Sequence, residues 1–207
     1  MRTQRQFVSI TSEGGLLPSD FLQELLRPGS EISGLDPTTY HLAEGEKLNE
    51  AVSRSWSRLK GCWVNFKSSI ASKAEGTATT TETRERWLLP VFQELNYGRL
   101  PVAPAIKIEN KTYAISHRWE SVPIHLVGSH VDLDTRTERV AGAATGSPHS
   151  LLQRSLNRRS ELLWGMVSNG LTLRLLRDNV ALTRQAFLEF DLKAMFDGDL
   201  YSDFFLF

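Results

Sequence analysis

One stretch, residues 162–178 (LLWGMVSNGLTLRLLRD), constrains the fold more than any other part of the chain. Two apolar runs flank Asn169-Gly170, a pair that favours a type I′ turn because both central residues must reach positive φ. Residues 163–167 and 171–176 are therefore predicted to be the two strands of an antiparallel hairpin. One face of the second strand is fully apolar and the other is mixed, so we expect the hairpin to pack at a margin of its sheet.

The bulk composition is that of an ordinary globular protein. The chain has 207 residues, of which 41% are hydrophobic and 23% are charged, which suits one domain or one domain with a helical appendage. The 24 basic residues balance the 24 acidic ones. This balance argues against a strongly basic nucleic-acid binder, but it leaves room for a local basic face.

The cysteine and hydropathy patterns bear on location. Cys62 is the single cysteine, so an internal disulfide is excluded and a reducing compartment is favoured. Its position beside Trp63 in a helical pattern indicates a small packing residue. No apolar run approaches the length of a membrane span, and residues 1–15 lack the apolar segment of a secretion signal. We therefore expect a cytoplasmic protein without a membrane partner.

The clearest predicted helix covers residues 46–71. Its apolar side chains recur at alternating steps of four and three: Val52, Trp56, Leu59, Trp63, Phe66 and Ile70. This heptad-like seam predicts a core face that packs against the helices that follow, rather than a cofactor site. Residues 73–83 are poor in apolar side chains and rich in threonine, which is typical of a linker. The chain therefore divides into a helical amino-terminal region (1–72), a linker (73–83) and an α/β domain (84–207).

The remaining pattern alternates strands and helices. Strands are predicted at 7–11, 106–109, 112–118, 123–127, 131–134 and 187–190, and helices at 20–26, 84–95 and 148–162. Pro90 is expected to kink the second of these helices, while Ser147 and Pro148 start the third. This order predicts an α/β fold with a mostly mixed sheet.

Several segments resemble a known class of protein. Residues 164–178 resemble the WG-[IV]-[VL]-[ST]-NG segment that follows the catalytic core in PD-(D/E)XK nuclease domains of restriction enzymes. The resemblance extends to 88–100 (LLPVFQELNYGRL), 122–128 (VPIHLVG) and 188–196 (LEFDLKAMF). The chain is most similar to the amino-terminal region of restriction–modification proteins, including DISARM-type phage-defence proteins, that carry an N6-adenine methyltransferase further on. The resemblance implies a restriction-endonuclease-like mixed sheet flanked by helices, with a helical amino-terminal appendage. It also implies DNA and other defence subunits as partners.

This chain departs from the catalytic motif of that class. Such a nuclease needs an acid on one strand and an acid-x-Lys on the next, because two carboxylates hold Mg²⁺ while the lysine polarises the attacking water. Residues 113–119 (YAISHRW) contain no carboxylate, and Gly128 and His130 fall at the acid and lysine positions. Neither residue can do those jobs. The resemblance therefore implies a nuclease-like module without activity.

A metal site offers the alternative of an active, Mg²⁺-dependent endonuclease. In a strand, the side chains of His130, Asp132 and Asp134 would point the same way. That face could hold a divalent metal, together with His125 or His117. The other interpretation is a solvated edge strand whose two acids pair with Arg136 and Arg139.

The class also carries a helix acid and basic DNA contacts. Glu85 or Glu94 could match the helix acid, although a glutamate at either position is more often a surface residue. The candidate DNA-binding residues are Gln153, Arg154, Arg158, Arg159 and Arg174. Arg154 and Arg158 lie one turn apart on a shared face, where they could contact phosphates. The alternative is a solvated helix face balanced by Glu161.

These observations leave three functions open: an inactive nuclease-like module that aids DNA binding or subunit docking, an active endonuclease, and a structural scaffold. The sequence contains no Asn-Pro-Pro-Tyr-type motif and no Gly-rich cofactor loop. No cofactor is therefore expected in this region except Mg²⁺ if it is active, and S-adenosylmethionine would belong to a downstream domain. Residues 200–207 (LYSDFFLF) are so apolar that we expect them to run between this module and another, with Phe207 not the natural end.

Overall fold

The computed structural model describes residues 7–27, 29–74, 76–108, 111–178 and 185–207. The strands are β1 (Ile10–Glu13), β2 (Ile106–Ile108), β3 (Lys111–Tyr113), β4 (His117–Trp119), β5 (Val122–Leu126), β6 (Trp164–Ser168), β7 (Thr172–Arg177) and β8 (Phe187–Asp191). The helices are α1 (Ser19–Leu25), α2 (Leu48–Ala71), α3 (Thr80–Thr83), α4 (Leu89–Glu94), α5 (Pro148–Asn157), α6 (Leu192–Asp197) and α7 (Tyr201–Phe204). A 3-10 turn covers Pro37–Tyr40, and a π-helical segment covers Arg84–Leu88.

A six-stranded mixed sheet forms the centre of the fold, in the order β1-β8-β7-β6-β5-β4. Its neighbouring strands are antiparallel except for β5 and β6, which are parallel. A parallel pair needs a crossover connection, and α5 lies within the chain that joins these two strands. Strands β2 and β3 form a separate antiparallel pair. The predicted mixed α/β arrangement is confirmed.

The predicted hairpin is present as β6 and β7, but two of its expected details are wrong. It lies in the middle of the sheet rather than at a margin, because β5 and β8 pair with its outer edges. Its turn is not of type I′, since Gly170 has a φ of 83° while Asn169 does not have a positive φ. Instead, the Asn169 Oδ1 accepts hydrogen bonds from the backbone N–H groups of Leu171 (3.0 Å) and Thr172 (2.9 Å). This side-chain turn spans four residues between the paired Ser168 and Leu173.

The aromatic seam of α2 packs on one face of the sheet. Trp56, Leu59, Trp63 and Phe66 are buried. The Trp63 ring lies 5.1 Å from that of Trp87, so the predicted packing against a later helix is confirmed. The same hydrophobic cluster includes Ile124 and Leu126 of β5 and Leu173 of β7. The α2 helix and the sheet therefore share a core.

A continuous helix, here called the 80–94 helix, is made of α3, the π-helical segment and α4. It starts earlier than expected, because residues 80–83 were predicted to end the linker and instead form its first turn. The π-helical segment lies directly before Leu89-Pro90. Proline lacks an N–H and its ring clashes with the preceding turn, which accounts for the wider helical turn before it. The kink itself stays a prediction.

Helix α5 covers the opposite face of the sheet. Leu152 and Leu156 are buried in a second hydrophobic cluster that includes Val167 and Leu176. The predicted start is confirmed, since the Ser147 Oγ accepts a hydrogen bond from the Ser150 N–H and Pro148 opens the helix. The helix ends at Asn157, five residues before the predicted end.

The predicted strand at residues 131–134 is wrong. These residues form bends within the connection between β5 and α5. Val131 and Leu133 are buried, and their carbonyl groups accept hydrogen bonds from Asn169 Nδ2 (2.9 Å) and from the His149 N–H (3.0 Å). The connection is therefore anchored to the β6–β7 turn and to the first turn of α5.

Strand β1 brings the amino-terminal part of the described chain next to its carboxyl-terminal part. This strand covers residues 10–13 rather than 7–11, and it pairs with β8, so the amino-terminal region is not wholly helical. Phe204 is buried, whereas residues 205–207 are half-buried. None of the helices in the described ranges is long and apolar enough to cross a membrane.

Candidate nucleic-acid interface and the nuclease-motif positions

Gly128 and His130, which the resemblance aligns with the acid-x-Lys motif, follow the carboxyl end of β5. Gly128 is buried there, directly beneath the ring of His130. A Cβ atom on Gly128 would lie 2.7 Å from His130 Cε1 and 2.9 Å from Thr80 Oγ1, closer than real Cβ atoms approach other atoms. The position therefore lacks a carboxylate, and any side chain there would require His130 and Thr80 to shift.

Hydroxyl and imidazole groups fill this position. The His130 Nδ1 lies 3.0 Å from the Thr79 Oγ1, which also lies 2.9 Å from the Ser129 Oγ. The Ser129 N–H donates to the Thr83 Oγ1 at 3.0 Å. The end of β5 is thus tied to the first turn of the 80–94 helix by neutral hydrogen bonds. None of these groups is a strong ligand for Mg²⁺, which prefers carboxylate oxygens.

The Asp132 side chain accepts hydrogen bonds from the backbone of the residues that follow it. Its Oδ1 accepts hydrogen bonds from the N–H groups of Asp134 (2.7 Å) and Thr135 (2.9 Å). This is the local side-chain turn that aspartate favours outside regular structure. Because the chain bends here, the alternation expected of a strand does not apply. His130, Asp132 and Asp134 therefore do not share a strand face.

Asp134 forms an ion pair with Arg174 of β7. Its two oxygens lie 2.6 and 2.8 Å from the guanidinium nitrogens. The Arg174 Nε also donates to Glu189 at 2.6 Å, and its guanidinium stacks 4.5 Å above the Phe187 ring centre. The hydrogen bonds from Arg174 lower the pKa of Asp134. Arg174 is only 8% exposed, so the structure assigns it to a buried ionic cluster rather than to a DNA-facing surface.

The predicted metal set is not brought together. In the part of the chain that the structure describes, no three histidine, cysteine, aspartate or glutamate side chains are grouped so that they could hold a metal ion. The other suggested ligands are buried: the Nε2 of His125 lies 2.7 Å from the Gly142 carbonyl oxygen, and the Nδ1 of His117 lies 2.9 Å from the Ser116 Oγ.

The two candidate helix acids, Glu94 and Glu85, differ in their contacts. Glu94 accepts hydrogen bonds from the Ser55 Oγ (3.0 Å) and from Arg58 (3.3 Å), both on α2. It therefore connects α4 to α2. Glu85 is exposed on the 80–94 helix.

Three buried histidines are neutral at pH 7. Burial, together with the positive charge of Arg84 or Arg174, lowers the pKa of His117, His125 and His149 to about 4. The Nδ1 of His149 lies 3.2 Å from Arg174 NH1 and must accept that hydrogen bond, because arginine only donates. These imidazoles serve as uncharged packing and hydrogen-bonding groups.

The basic ridge of α5, formed by Arg154 and Arg158, is the predicted DNA-binding feature that faces solvent. Both residues are exposed, on the side away from the buried leucines of the helix. The Arg154 guanidinium donates to the Ser150 carbonyl (3.0 Å) and hydroxyl (3.1 Å), which holds it along the helix. Within the described ranges it has hydroxyl and carbonyl contacts and no carboxylate partner, so its charge is suited to attract a phosphate.

The two other candidates in this segment of the chain differ from the ridge. Arg159 is half-buried and pairs with Glu161 at 3.5 Å. Gln153 donates from Nε2 to Asn157 Oδ1 and to the Arg177 carbonyl, both at 2.8 Å. Gln153 therefore fastens α5 to β7 and is not turned toward solvent like Arg154.

Sequence reasoning missed Arg84. The Arg84 Nε donates to the Leu126 carbonyl oxygen at 2.9 Å, and its NH2 donates to the same oxygen. The side chain is half-buried at the end of β5. No local pattern marks it, because the contact joins residues 42 positions apart.

Comparisons with protein-family models, with curated proteins and with solved structures gave no match to this chain.

Proposed function

We propose that this chain is a nuclease-like, catalytically inactive module that helps a restriction–modification or phage-defence protein to bind DNA or to dock its subunits. The observation that carries the proposal is the exposed basic ridge of α5, formed by Arg154 and Arg158. The inactivity follows from Gly128 and His130, which occupy the acid-x-Lys position and are packed against Thr79 and Thr80.

The charge distribution supports DNA as the ligand of the ridge. The whole chain has a formal net charge of zero, so long-range attraction to DNA is weak and binding must come from a local basic surface. Arginine suits this role because its guanidinium offers several donors to the phosphate oxygens. Backbone contacts of this kind position a protein on a duplex and carry no base specificity.

The architecture is compatible with the proposal. A six-stranded mixed sheet is covered by α2 and the 80–94 helix on one face and by α5 on the other. A restriction-endonuclease-like fold is one member of this broader class, and its assignment here rests on the resemblance of residues 88–100, 122–128 and 164–178.

Fluorescence anisotropy with a labelled DNA duplex over a series of salt concentrations tests the proposal. Replacing both ridge residues, Arg154→Ala and Arg158→Ala, should weaken binding and flatten the dependence of log K on log salt by about 2, since each lost phosphate contact removes about 0.9. The matched control replaces Arg27 and Arg99, which have the same charge and lie far from α5 in sequence. Equal loss in both double variants would show that only total charge matters and would contradict the proposal.

A further inference from the structure

The Arg84 guanidinium is a half-buried cation without an acidic partner among the described residues. Two of its N–H groups, on Nε and NH2, converge on the Leu126 carbonyl oxygen. Guanidinium has five N–H donors, so three are left. The Arg84 side chain is partly exposed.

This arrangement is energetically unusual. Charged groups that are withdrawn from water are normally paired with an opposite charge, because desolvation disfavours the charged form. Burial alone lowers the pKa of Arg84, with no carboxylate acting in the other direction. By contrast, the more deeply buried Arg174 is contacted by both Asp134 and Glu189. A guanidinium in these surroundings is suited to an anionic ligand.

The surroundings suit an oxyanion. The Leu126 peptide lies at the carboxyl end of β5, beside its parallel neighbour β6, which is where ligands commonly bind in sheets with parallel strands. The nearby side chains of Thr79, Ser129 and His130 carry hydroxyl or imidazole groups and no negative charge. Their hydrogen-bonded cluster joins the same two elements that Arg84 joins, the 80–94 helix and the end of β5.

We propose that Arg84 binds a phosphate group at the carboxyl end of β5. The phosphate can belong to a nucleic-acid backbone or be free in solution, because both present the same oxygens to a guanidinium. The Leu126 carbonyl fixes one edge of the guanidinium, and the other edge receives the ligand. This site is separate from the basic ridge of α5 and does not depend on the function proposed for that ridge.

Nuclear magnetic resonance of the full chain at pH 7 tests this directly. The probes are the Arg84 Nε–H, assigned by its loss in Arg84→Gln, and the backbone N–H groups of Gly128 and Ser129. Sodium phosphate and a short DNA duplex are titrated separately against sodium chloride of equal ionic strength. Saturable shifts in the unmodified chain that are absent in Arg84→Gln are expected. The control is Arg86→Gln, which removes the same charge from an exposed position in the same π-helical segment and should leave the shifts intact.

The titrations also separate the sources of the phosphate. Shifts with DNA alone assign the site to a nucleic-acid backbone, and shifts with sodium phosphate alone assign it to a free phosphate. Absence of saturable shifts with either probe in the unmodified chain would overturn the proposal, and this measurement does not depend on how any variant folds. Equal loss in Arg84→Gln and Arg86→Gln would overturn it too. The ridge variant Arg154→Ala/Arg158→Ala should retain the phosphate response, so failure of the ridge hypothesis is distinguishable.

Discussion

The Asp203 carboxylate accepts hydrogen bonds from both the backbone N–H and the hydroxyl of Ser9, each at 2.8 Å, although 194 positions separate the two residues. The same oxygen accepts a third hydrogen bond, from the Val8 N–H at 2.9 Å. Asp203 and Ser9 are both buried. One carboxylate therefore holds the segment that leads into β1 against helix α7.

Replacing Asp203 with Ala should destabilise the protein by about 1–3 kcal/mol, because it leaves buried donors without an acceptor. Urea unfolding followed by tryptophan fluorescence measures this change. The control is Asp199→Asn, which removes an exposed charge paired with Lys60, keeps a side chain that tolerates the positive φ of 54°, and should change stability by less than about 1 kcal/mol. Similar losses in the two variants would show that the Asp203 contacts contribute little.

Gly128→Ala should be destabilising by about 1–3 kcal/mol, since the added methyl group would collide with His130 and Thr80. Gly61→Ala is the matched control, because nothing lies within 4 Å of a Cβ at this position in α2. Alanine is the better helix former, so that control should stabilise the protein by up to about 1 kcal/mol. Adding His130→Ala to Gly128→Ala should recover part of the loss by removing the ring. A neutral effect of Gly128→Ala in thermal unfolding would refute the packed arrangement.

The unmodified chain should not cleave DNA in Mg²⁺ or Mn²⁺. The motif position holds Gly128 and His130, while Asp132 and Asp134 are bonded to the backbone and to Arg174. Incubation with supercoiled plasmid, followed by gel electrophoresis, detects single nicks. Nicking that disappears in Asp132→Ala or Asp134→Ala would instead establish an active nuclease at these acids.

Stability should fall as the pH is lowered from about 6.5 toward 4. The folded-state pKa of His117, His125 and His149 is about 4, below the unfolded value of about 6.5. The unfolded chain therefore binds more protons in this window, and each histidine contributes a slope of roughly 1.4 kcal/mol per pH unit at most. Urea unfolding at pH 7, 6 and 5 measures the slope.

Replacing one histidine tests how much of the pH dependence of the free energy of unfolding comes from it. His149→Gln should make the slope shallower, because glutamine cannot take up the proton. His41→Asn is the control, since His41 is exposed and asparagine tolerates its positive φ of 54°. A slope that is unchanged in His149→Gln would mean that this imidazole titrates normally.

Local patterns were sufficient for part of the fold. The seam of α2, the Ser147-Pro148 start of α5 and the β6–β7 hairpin each depend on residues that are close in sequence. Apolar period, capping and turn chemistry report on such neighbours directly. The turn type was still misjudged, because the Asn169 side chain replaces a backbone geometry that the Asn-Gly pair alone would favour.

The candidate site depends on contacts that no local pattern reports. Residues 130–134 alternate like a strand, but Asp132 bonds to its own backbone and bends the chain. Arg174 lies on the mixed face of β7. That face would be expected to face solvent if the strand lay at a margin of the sheet. The strand is central, and Asp134 and His149 contact Arg174 on this face, so the arginine is buried. The seating of His130 over Gly128 requires Thr79 and Thr80, about 50 positions away.

The pairing of β1 with β8 has a consequence for how the chain folds. Ile10 lies opposite Phe190, so this edge of the sheet closes a loop that contains most of the protein. The entropy cost of such a closure must be met before its contacts can stabilise anything, and folding rates fall as contacts become more distant in sequence. The β6–β7 hairpin can form early, whereas β1 can join only after β8 has been placed. Destabilising changes in β1 should therefore accelerate unfolding and leave the refolding rate nearly unchanged.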